Sequence, residues 1–363
     1  MLSPKDLDID DIPSQVTATL ADYFAERRSA VEKIGGPVGD ALGYLERFVL
    51  RGGKRIRPLY AWAGFIGAGG LRGNEDPQAV LQACASLEFI QACALIHDDI
   101  IDASDSRRGA PTVHRQAEAL HRDHDWNGDS AEFGTSMAIL VGDLALAWAE
   151  DMVQDSGLSA EALRRIRAPW RAMRTEVIGG QMLDISLEAM GAESIELAGS
   201  VNRFKTAAYT IERPLHLGAA LADGTESITT AFRQYGADIG VAFQLRDDLL
   251  GVYGDPDVTG KPAGDDLREG KLTVLLITAV QRIDESDPDT AAWLRSRVGA
   301  TEDPAEIKRM AEVIAESGAP EAMEHKIDAL TRSGMRTIHD AGLDKWTVRV
   351  LEELGRKATA RRK

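Results

Sequence analysis

The chain has 363 residues, of which 44% are hydrophobic and 28% are charged, and its formal net charge is −16. This acidic balance argues against general nucleic-acid binding, because phosphate backbones attract basic surfaces. The length is sufficient for a large buried core, in one large all-helical domain or in two smaller ones.

Apolar residues recur with the period of an α-helix along most of the chain, and patterns typical of strands are scarce. We expect residues 1–12 to be disordered. The periodicity then predicts helices over 14–34, 38–50, 58–67, 77–103, 133–155, 159–188, 193–222, 226–253, 270–284, 303–317 and 319–356.

The cysteines and the most apolar segments indicate a protein without membrane spans. Cys84 and Cys93, the only two cysteines, fall in one apolar stretch, which is typical of small core residues in a reducing compartment such as the cytoplasm. The apolar runs Val80–Ile101 and Met137–Ala149 contain acidic and amide side chains, so they predict buried helices. The acidic N-terminal sequence lacks the apolar segment of a secretion signal.

A first group of aspartates ends one of these apolar helices, in the sequence LIHDDIID. Asp98 and Asp102 lie one helical turn apart, on the same helix face whose earlier residues are apolar and are expected to pack in the core. Asp99 points about 100° away from that face. A solvated acidic helix end is the alternative, but acid at a helix C-terminus opposes the macrodipole and needs a compensating interaction. The pattern therefore favours a metal site formed by Asp98 and Asp102.

Two basic segments accompany this helix. Arg107 and Arg108 follow the aspartates directly, and adjacent guanidinium groups can bind different phosphates because they point in different directions. The earlier sequence RGGKRIRP is a glycine turn leading into a helix, where backbone N–H groups together with Lys54 and Arg57 suit an anion. Alone, an Arg-Arg pair is a solvated surface feature more often than not, and the glycine turn is equally typical of a basic surface turn.

A second group of aspartates repeats the design near the end of another long helix. Asp247 shares its helix face with Gly236 and Gly240, which permit close helix packing or leave volume for a ligand, while Asp248 points aside. The following loop, GDPDVTGKPAG, carries Lys261 and is suited to closing over a diphosphate.

In combination these segments resemble the trans-isoprenyl diphosphate synthases, or polyprenyl synthetases, over about residues 45–280. The resemblance rests on the motifs GGKRIRP, LIHDDIIDASDSRRG, GGQMLD, FKT, FQLRDD, TGKP and DLREGK in that order. It implies an all-α, single-domain bundle of long helices (residues 1–363) around a deep central cavity, usually a cytoplasmic homodimer.

The resemblance also implies the ligands of the site. Three Mg²⁺ ions are expected between the two aspartate helices, two held by Asp98 and Asp102 and the third by Asp247. The residues expected to hold isopentenyl diphosphate are Gly53, Lys54, Arg57, Gln91 and Arg108. Those expected at the allylic diphosphate are Arg107, Lys205, Thr206, Gln244, Lys261 and Lys271. Among all of these, the expected catalytic residues are Asp98, Asp102, Lys205, Asp247 and Lys261, and the roles of Asp99 and Asp248 stay open.

The implied reaction is ionisation of an allylic diphosphate assisted by Mg²⁺, followed by attack of the isopentenyl double bond on the carbocation and loss of a proton. No protein nucleophile is needed. Two positions depart from common family patterns. Gly251 stands where short-chain members often have Asp, and Gln91 stands where many members have His.

Product length depends on how far the growing tail can extend beside the first aspartate helix. Cys93 and Ala94 are small where bulky aromatic residues limit products in the family. We therefore expect the floor at Phe89 or Trp148 and geranylgeranyl diphosphate (C20) as the product. Longer chains (C25 or above) and farnesyl diphosphate are the alternatives.

Two other functions compete with this interpretation. A terpene cyclase shares the aspartate-rich helix, but it has no use for the second diphosphate site indicated by GGKRIRP and Arg108. A non-catalytic partner subunit of a prenyl synthase is the alternative from a different class. Such subunits typically lose motif aspartates, which this chain retains.

Overall fold

The computed structural model describes residues 8–107, 109–255 and 263–360, and the fold is all-α as predicted. The first eight helices are α1 (Ile12–Glu32), α2 (Gly36–Leu50), α3 (Ile56–Gly67), α4 (Pro77–Ala85), α5 (Leu87–Ile101), α6 (Val113–Asp123), α7 (Ser130–Gln154) and α8 (Ala160–Met190). Next, α9 (Ile195–Val201) runs into a π-helix (Asn202–Glu212) and then into α10 (Arg213–Leu221). The remaining helices are α11 (Glu226–Tyr253), α12 (Asp265–Glu269), α13 (Val274–Ser286), α14 (Pro288–Arg297), α15 (Pro304–Glu316), α16 (Ala319–Asp340) and α17 (Lys345–Thr359).

Within these ranges the only sheet is a pair of two-residue strands directly after α5. β1 (Ser106–Arg107) pairs antiparallel with β2 (Ala110–Pro111), so that Arg107 lies opposite Ala110. The hairpin fixes the backbone of Arg107 beside the end of the first aspartate helix.

Residues 8–12 are more ordered than the composition of this segment predicted. Ile9–Asp11 forms a single 3-10 turn whose N-cap Asp8 accepts a hydrogen bond from the N–H of Ile9, and the Ile9 side chain is buried. The prediction of a disordered segment extending to residue 12 was therefore wrong for residues 9–12, because Ile9 and Ile12 supply apolar anchors.

Two predicted long helices are each divided. The stretch 77–103 breaks at Ser86, whose Oγ donates to the carbonyl of Ala83 over 2.6 Å. The stretch 319–356 breaks at Gly342, which has a left-handed φ of 68°, and α17 restarts with Asp344 as its N-cap. The prediction omitted α6 because its buried face includes His114, Glu118 and His121, which hide the apolar period.

One helical stretch, Pro77–Ile101, is long and apolar enough to cross a membrane, and 78% of its most apolar window is buried inside the protein. This burial is typical of a core helix in a globular protein. The division at Ser86 further shortens each apolar helix.

Contacts divide the chain into two compact units. The first unit is Met1–Trp170 with Pro214–Thr229, and the second unit is Arg171–Arg213 with Thr230–Lys363. The first has a core rich in aromatic rings, which includes Phe24, Trp62, Phe65 and Phe89. The second has a mainly aliphatic core, which includes Leu245, Leu249, Leu275, Ile277 and Met310. The assignment of all 363 residues to one domain stays a prediction.

Candidate active site

The first aspartate group lies at the C-terminal end of α5, as predicted. Asp102 is the C-cap, and its N–H donates to the carbonyl of Asp98 over 2.8 Å. This bond fixes the two residues one turn apart, and the Asp98 side chain is 18% exposed. Two carboxylates so placed at a helix end suit a magnesium ion, which typically uses one or two protein carboxylates with water and phosphate oxygens.

Asp99 is the buried member of the group, with 1% exposure. Nε of Arg107 donates to its Oδ1 over 2.6 Å, and Nη2 of the same arginine lies 3.4 Å from Oδ2 of Asp98. Burial raises the pKa of Asp99 to about 6, and Arg107 opposes that shift. Asp99 therefore orients a guanidinium predicted to bind the allylic diphosphate. Arg108 lies outside the described residues.

The glycine turn before α3 has positive φ angles, which strain the backbone at Arg55 but not at its glycines. Gly52 and Gly53 have φ of 98° and 131°, and Arg55, the N-cap residue, is left-handed with φ 49°. A non-glycine residue in this region costs roughly 1–2 kcal/mol. Lys54 is exposed, and Arg57 is buried in the first turn of α3, which starts at Ile56, two residues earlier than predicted.

Sequence reasoning missed the residue that holds this turn. The side chain of Arg55 is 2% exposed and its Nη1 lies 2.5 Å from Oε2 of Glu88, which is 5% exposed. The available signal was the acidic Glu88 within the apolar run of α5, because a buried charge requires a partner.

The second aspartate group lies near the end of α11 in the second unit. Asp248 is 2% exposed and accepts hydrogen bonds from Nε2 of Gln244 over 2.8 Å and from Nδ2 of Asn202 over 3.3 Å. Burial raises its pKa to about 7, and both hydrogen bonds oppose the shift. Asp247 is half-buried. Asn202 was not predicted, and Gln244, predicted at the allylic diphosphate, contacts Asp248.

The glycines of α11 serve close packing. A Cβ at Gly240 would lie 2.6 Å from Cβ of Ala207, and one at Gly236 would overlap the backbone of Glu212. Of the two predicted uses, packing against the π-helix is therefore the one found at both positions, and ligand volume is not. Gly251 faces the Asp266 carboxylate, so the aspartate common at this position in short-chain relatives would meet a like charge here.

The π-helix carries the predicted Lys205-Thr206 pair. Nζ of Lys205 lies 2.6 Å from Oδ2 of Asp184, a residue of the GGQMLD motif on α8. A Cβ at Gly180 of the same motif would lie 2.7 Å from Cα of Lys205, so the absence of a side chain permits this approach. π-Helical segments are frequent at functional sites.

The remaining predicted cations divide between the described and undescribed parts of the chain. Nζ of Lys271 lies 2.5 Å from Oε2 of Glu269. Lys261 lies outside the described residues. Within 8–107, 109–255 and 263–360, no group of three or more His, Cys, Asp or Glu side chains is placed to hold a metal ion by itself.

Both residues predicted as the floor belong to one aromatic cluster in the first unit. The rings of Phe89 and Trp148 are 6.1 Å apart, and both contact Tyr23 and Phe24 of α1, which the sequence did not single out. Cys93, one turn along α5 from Phe89, is buried, and burial raises the pKa of its thiol to about 12. Both cysteines are free and buried, which confirms them as core residues.

Comparisons with known proteins agree with this arrangement. Residues 42–316 match the polyprenyl synthetase family model. The chain is similar to a geranylgeranyl pyrophosphate synthase from Corynebacterium glutamicum whose structure was solved in complex with isoprenyl diphosphate and magnesium. The two are 57% identical with a TM-score of 0.96, and the match covers 98% of this chain and 100% of the other.

Curated relatives with other product names match over most of the chain. A geranylfarnesyl diphosphate synthase from Aeropyrum pernix is 34% identical over 76% of this chain and 79% of its own length. A (2E,6E)-farnesyl diphosphate synthase from Mycobacterium tuberculosis is 33% identical over 78% and 75%. The family match, the motif order and the aspartate helices together show that the chain belongs to the polyprenyl synthetase family of prenyltransferases.

Proposed function

We propose that the protein is a geranylgeranyl diphosphate synthase that condenses isopentenyl diphosphate with an allylic diphosphate. The observation that carries this proposal is the 57% identity, over 98% of the chain, with the Corynebacterium glutamicum geranylgeranyl pyrophosphate synthase. The relatives at 33–34% identity carry names with shorter or longer products, so family membership alone does not select the chain length.

Magnesium fits the residues present. Asp98 and Asp102 offer carboxylate oxygens one turn apart in the first unit, and Asp247 offers another in the second. These are the ligands that Mg²⁺ prefers, and a diphosphate supplies the oxygens that one or two carboxylates leave open. We propose three ions with diphosphate bound, with Asp98 and Asp102 holding two and Asp247 the third.

The residues of the chain bind and orient the two substrates. Lys54, Arg57 and Gln91, with Gly53 and Arg108, are proposed to hold isopentenyl diphosphate, and Arg57 is preorganised because it is buried. The residues proposed at the allylic diphosphate are Arg107, Lys205, Thr206, Gln244, Lys261 and Lys271. Bound Mg²⁺ would supply the positive charge that stabilises the departing diphosphate.

Product length is proposed to be set by the aromatic cluster of Phe89, Trp148, Tyr23 and Phe24, which lies at the N-terminal turns of α5. Cys93 and Ala94, about one turn before Asp98 on α5, are small, so neither side chain would stop the growing product there. Phe89, one turn before Cys93 on α5, and Trp148 of α7 are the large rings proposed to form the floor, and they contact Tyr23 and Phe24 of α1. A stop at this depth supports C20 over C15.

A homodimer is proposed because each unit exposes large apolar side chains on a long helix. On α7, Ile139 is 43% and Leu140 62% exposed, and on α8, Met182 is 63% exposed. Adjacent, highly exposed apolar side chains such as Ile139 and Leu140 favour an interaction surface. Leu140→Asp is expected to give monomers in light scattering, whereas Ile34→Asp, at a residue 73% exposed in a turn, leaves the dimer intact. The cytoplasmic location stays a prediction.

The proposed product is tested by incubating the protein with labelled isopentenyl diphosphate, Mg²⁺ and each of the C5, C10 and C15 allylic starters. Reversed-phase chromatography of the dephosphorylated products is expected to show a C20 alcohol as the end product from each starter. Accumulation of a C15 or C25 alcohol as the end product would contradict the assigned length but not the condensation.

A further inference from the structure

The ion pair between Arg55 and Glu88 lies beside residues proposed to bind substrate, yet neither member is placed to touch it. Their side chains are 2% and 5% exposed, and Nη1 of Arg55 lies 2.5 Å from Oε2 of Glu88. A buried pair of this kind adds little stability compared with apolar residues of similar volume. Its presence is better explained by a role in fixing the position of the turn that contains Arg55.

Arg55 joins several helices of the first unit to one turn. Its Nη2 donates to the carbonyl of Val49 in α2 over 2.8 Å, and its Nε donates to Oγ1 of Thr17 in α1 over 3.3 Å. With Glu88 in α5, the guanidinium therefore bonds to three helices. The left-handed backbone of Arg55 at the start of α3 is held in place by these bonds.

The residues next to this pair are those proposed for isopentenyl diphosphate. Lys54 precedes Arg55, and Arg57 follows it by two positions. On α5, Glu88 lies one turn before Gln91, so the two side chains share a side of the helix. A shift of the Arg55–Glu88 pair would therefore move the basic turn relative to Gln91.

We propose that Arg55 and Glu88 are positioning residues that hold the turn Gly53–Arg57 in register with Gln91 of α5 for isopentenyl diphosphate. This inference rests on the proposed function, because it assigns those residues to that substrate. The pair acts on binding of isopentenyl diphosphate and leaves the ionisation of the allylic substrate unchanged.

The test is steady-state kinetics on Arg55→Gln, Arg55→Lys and Glu88→Gln, with each substrate varied in turn. Arg55→Gln and Glu88→Gln are expected to raise the KM for isopentenyl diphosphate by about tenfold or more, because misplacement of binding groups is costly even without loss of contacts. The KM for the allylic diphosphate and the kcat at saturation are expected to stay within about threefold of wild type. Arg55→Lys keeps the charge but loses the planar guanidinium that donates to several partners. It is therefore expected to restore only part of the affinity for isopentenyl diphosphate.

The matched control is Arg165→Gln. Arg165 also lies in the first unit and also donates to backbone carbonyls, those of Ala220 and Leu221, over 2.8 and 3.0 Å. Its loss is expected to lower thermal stability without changing the KM for isopentenyl diphosphate.

The outcomes separate the inference from the proposed function. Equal changes in both KM values and kcat, parallel to the fall in melting temperature, would show a merely structural pair and overturn the inference. If Arg55→Gln does not fold, the test uses Glu88→Gln and Arg55→Lys. An unchanged KM for isopentenyl diphosphate in those two variants would also overturn the inference. A wild-type protein that condenses no substrate overturns the proposed function itself.

Discussion

Nε of Arg107 lies 2.6 Å from Oδ1 of Asp99, a carboxylate that is buried between two proposed metal-binding positions along α5. The pair combines a buried anion with a half-buried cation on the hairpin. Its geometry fixes where the guanidinium can meet a diphosphate.

Asp99→Asn is expected to weaken binding of the allylic diphosphate, because Arg107 exchanges a charged partner for a neutral one. The KM for the allylic substrate is expected to rise by about tenfold, the free-energy equivalent of a charge-assisted hydrogen bond. The control is Asp105→Asn, which breaks the exposed pair with Arg115 (2.7 Å) and should leave that KM unchanged. An unaltered KM in Asp99→Asn would remove the orienting role.

Neighbouring glycines of α8 provide a matched pair for the packing of the π-helix. Gly180→Ala places a Cβ 2.7 Å from Cα of Lys205, so we expect a loss of about 1–3 kcal/mol in the free energy of unfolding. Gly179→Ala meets nothing within 4 Å and is expected to stabilise the helix by up to about 1 kcal/mol. Denaturant titration measures both, and equal effects of the two substitutions would contradict the close approach.

Tyr23 has a buried hydroxyl without a hydrogen-bond partner among the described residues. Tyr23→Phe is therefore expected to raise the free energy of unfolding by about 1 kcal/mol at neutral pH. Tyr235→Phe, the control, removes a 2.6 Å bond to the carbonyl of Leu351 and should lower stability by about the same amount.

Tyr23 also makes the stability of the protein depend on pH in the alkaline range. Burial raises the pKa of Tyr23 to about 12, above the ordinary value of 10.0. As the pH rises, the unfolded chain loses this proton before the folded protein does. The free energy of unfolding therefore keeps its full value below pH 10 and falls as the pH rises from 10 towards 12. The stability advantage of Tyr23→Phe over wild type should therefore widen between pH 10 and 12. A constant difference over that interval would contradict the assigned pKa shift.

The proposed floor is tested by Trp148→Ala. Removing this ring, which contacts Phe89 and two rings of α1, should let products grow beyond C20. Trp62→Ala is the control, because Trp62 is fully buried in α3 and its loss should cost about 3–5 kcal/mol in stability without lengthening the product. An unchanged product distribution in Trp148→Ala would remove Trp148 from this role.

Helical period and turn residues were enough to predict the long helices and the placement of Asp98, Asp102 and Asp247 at or near helix ends. They were not enough for the π-helix, because its apolar pattern over Asn202–Glu212 does not differ visibly from that of an α-helix. The polar burial in α6 was missed for the same reason that Arg55 was missed. Glu88 within an apolar run signals that a buried charge is present, but its partner Arg55 lies 33 positions away, so the sequence does not show which cation pairs with it.

The carboxylates of the first aspartate helix are proposed to hold magnesium for transfer of a prenyl group. The most direct measurement is the rate at which wild type and Asp98→Ala incorporate labelled isopentenyl diphosphate into organic-extractable product, with Mg²⁺ and with a chelator. We expect wild type to require Mg²⁺ and Asp98→Ala to lose about a thousandfold or more in rate, because charge stabilisation of the departing group is usually the largest single contribution. Full activity of Asp98→Ala, or of wild type in excess chelator, would contradict the account.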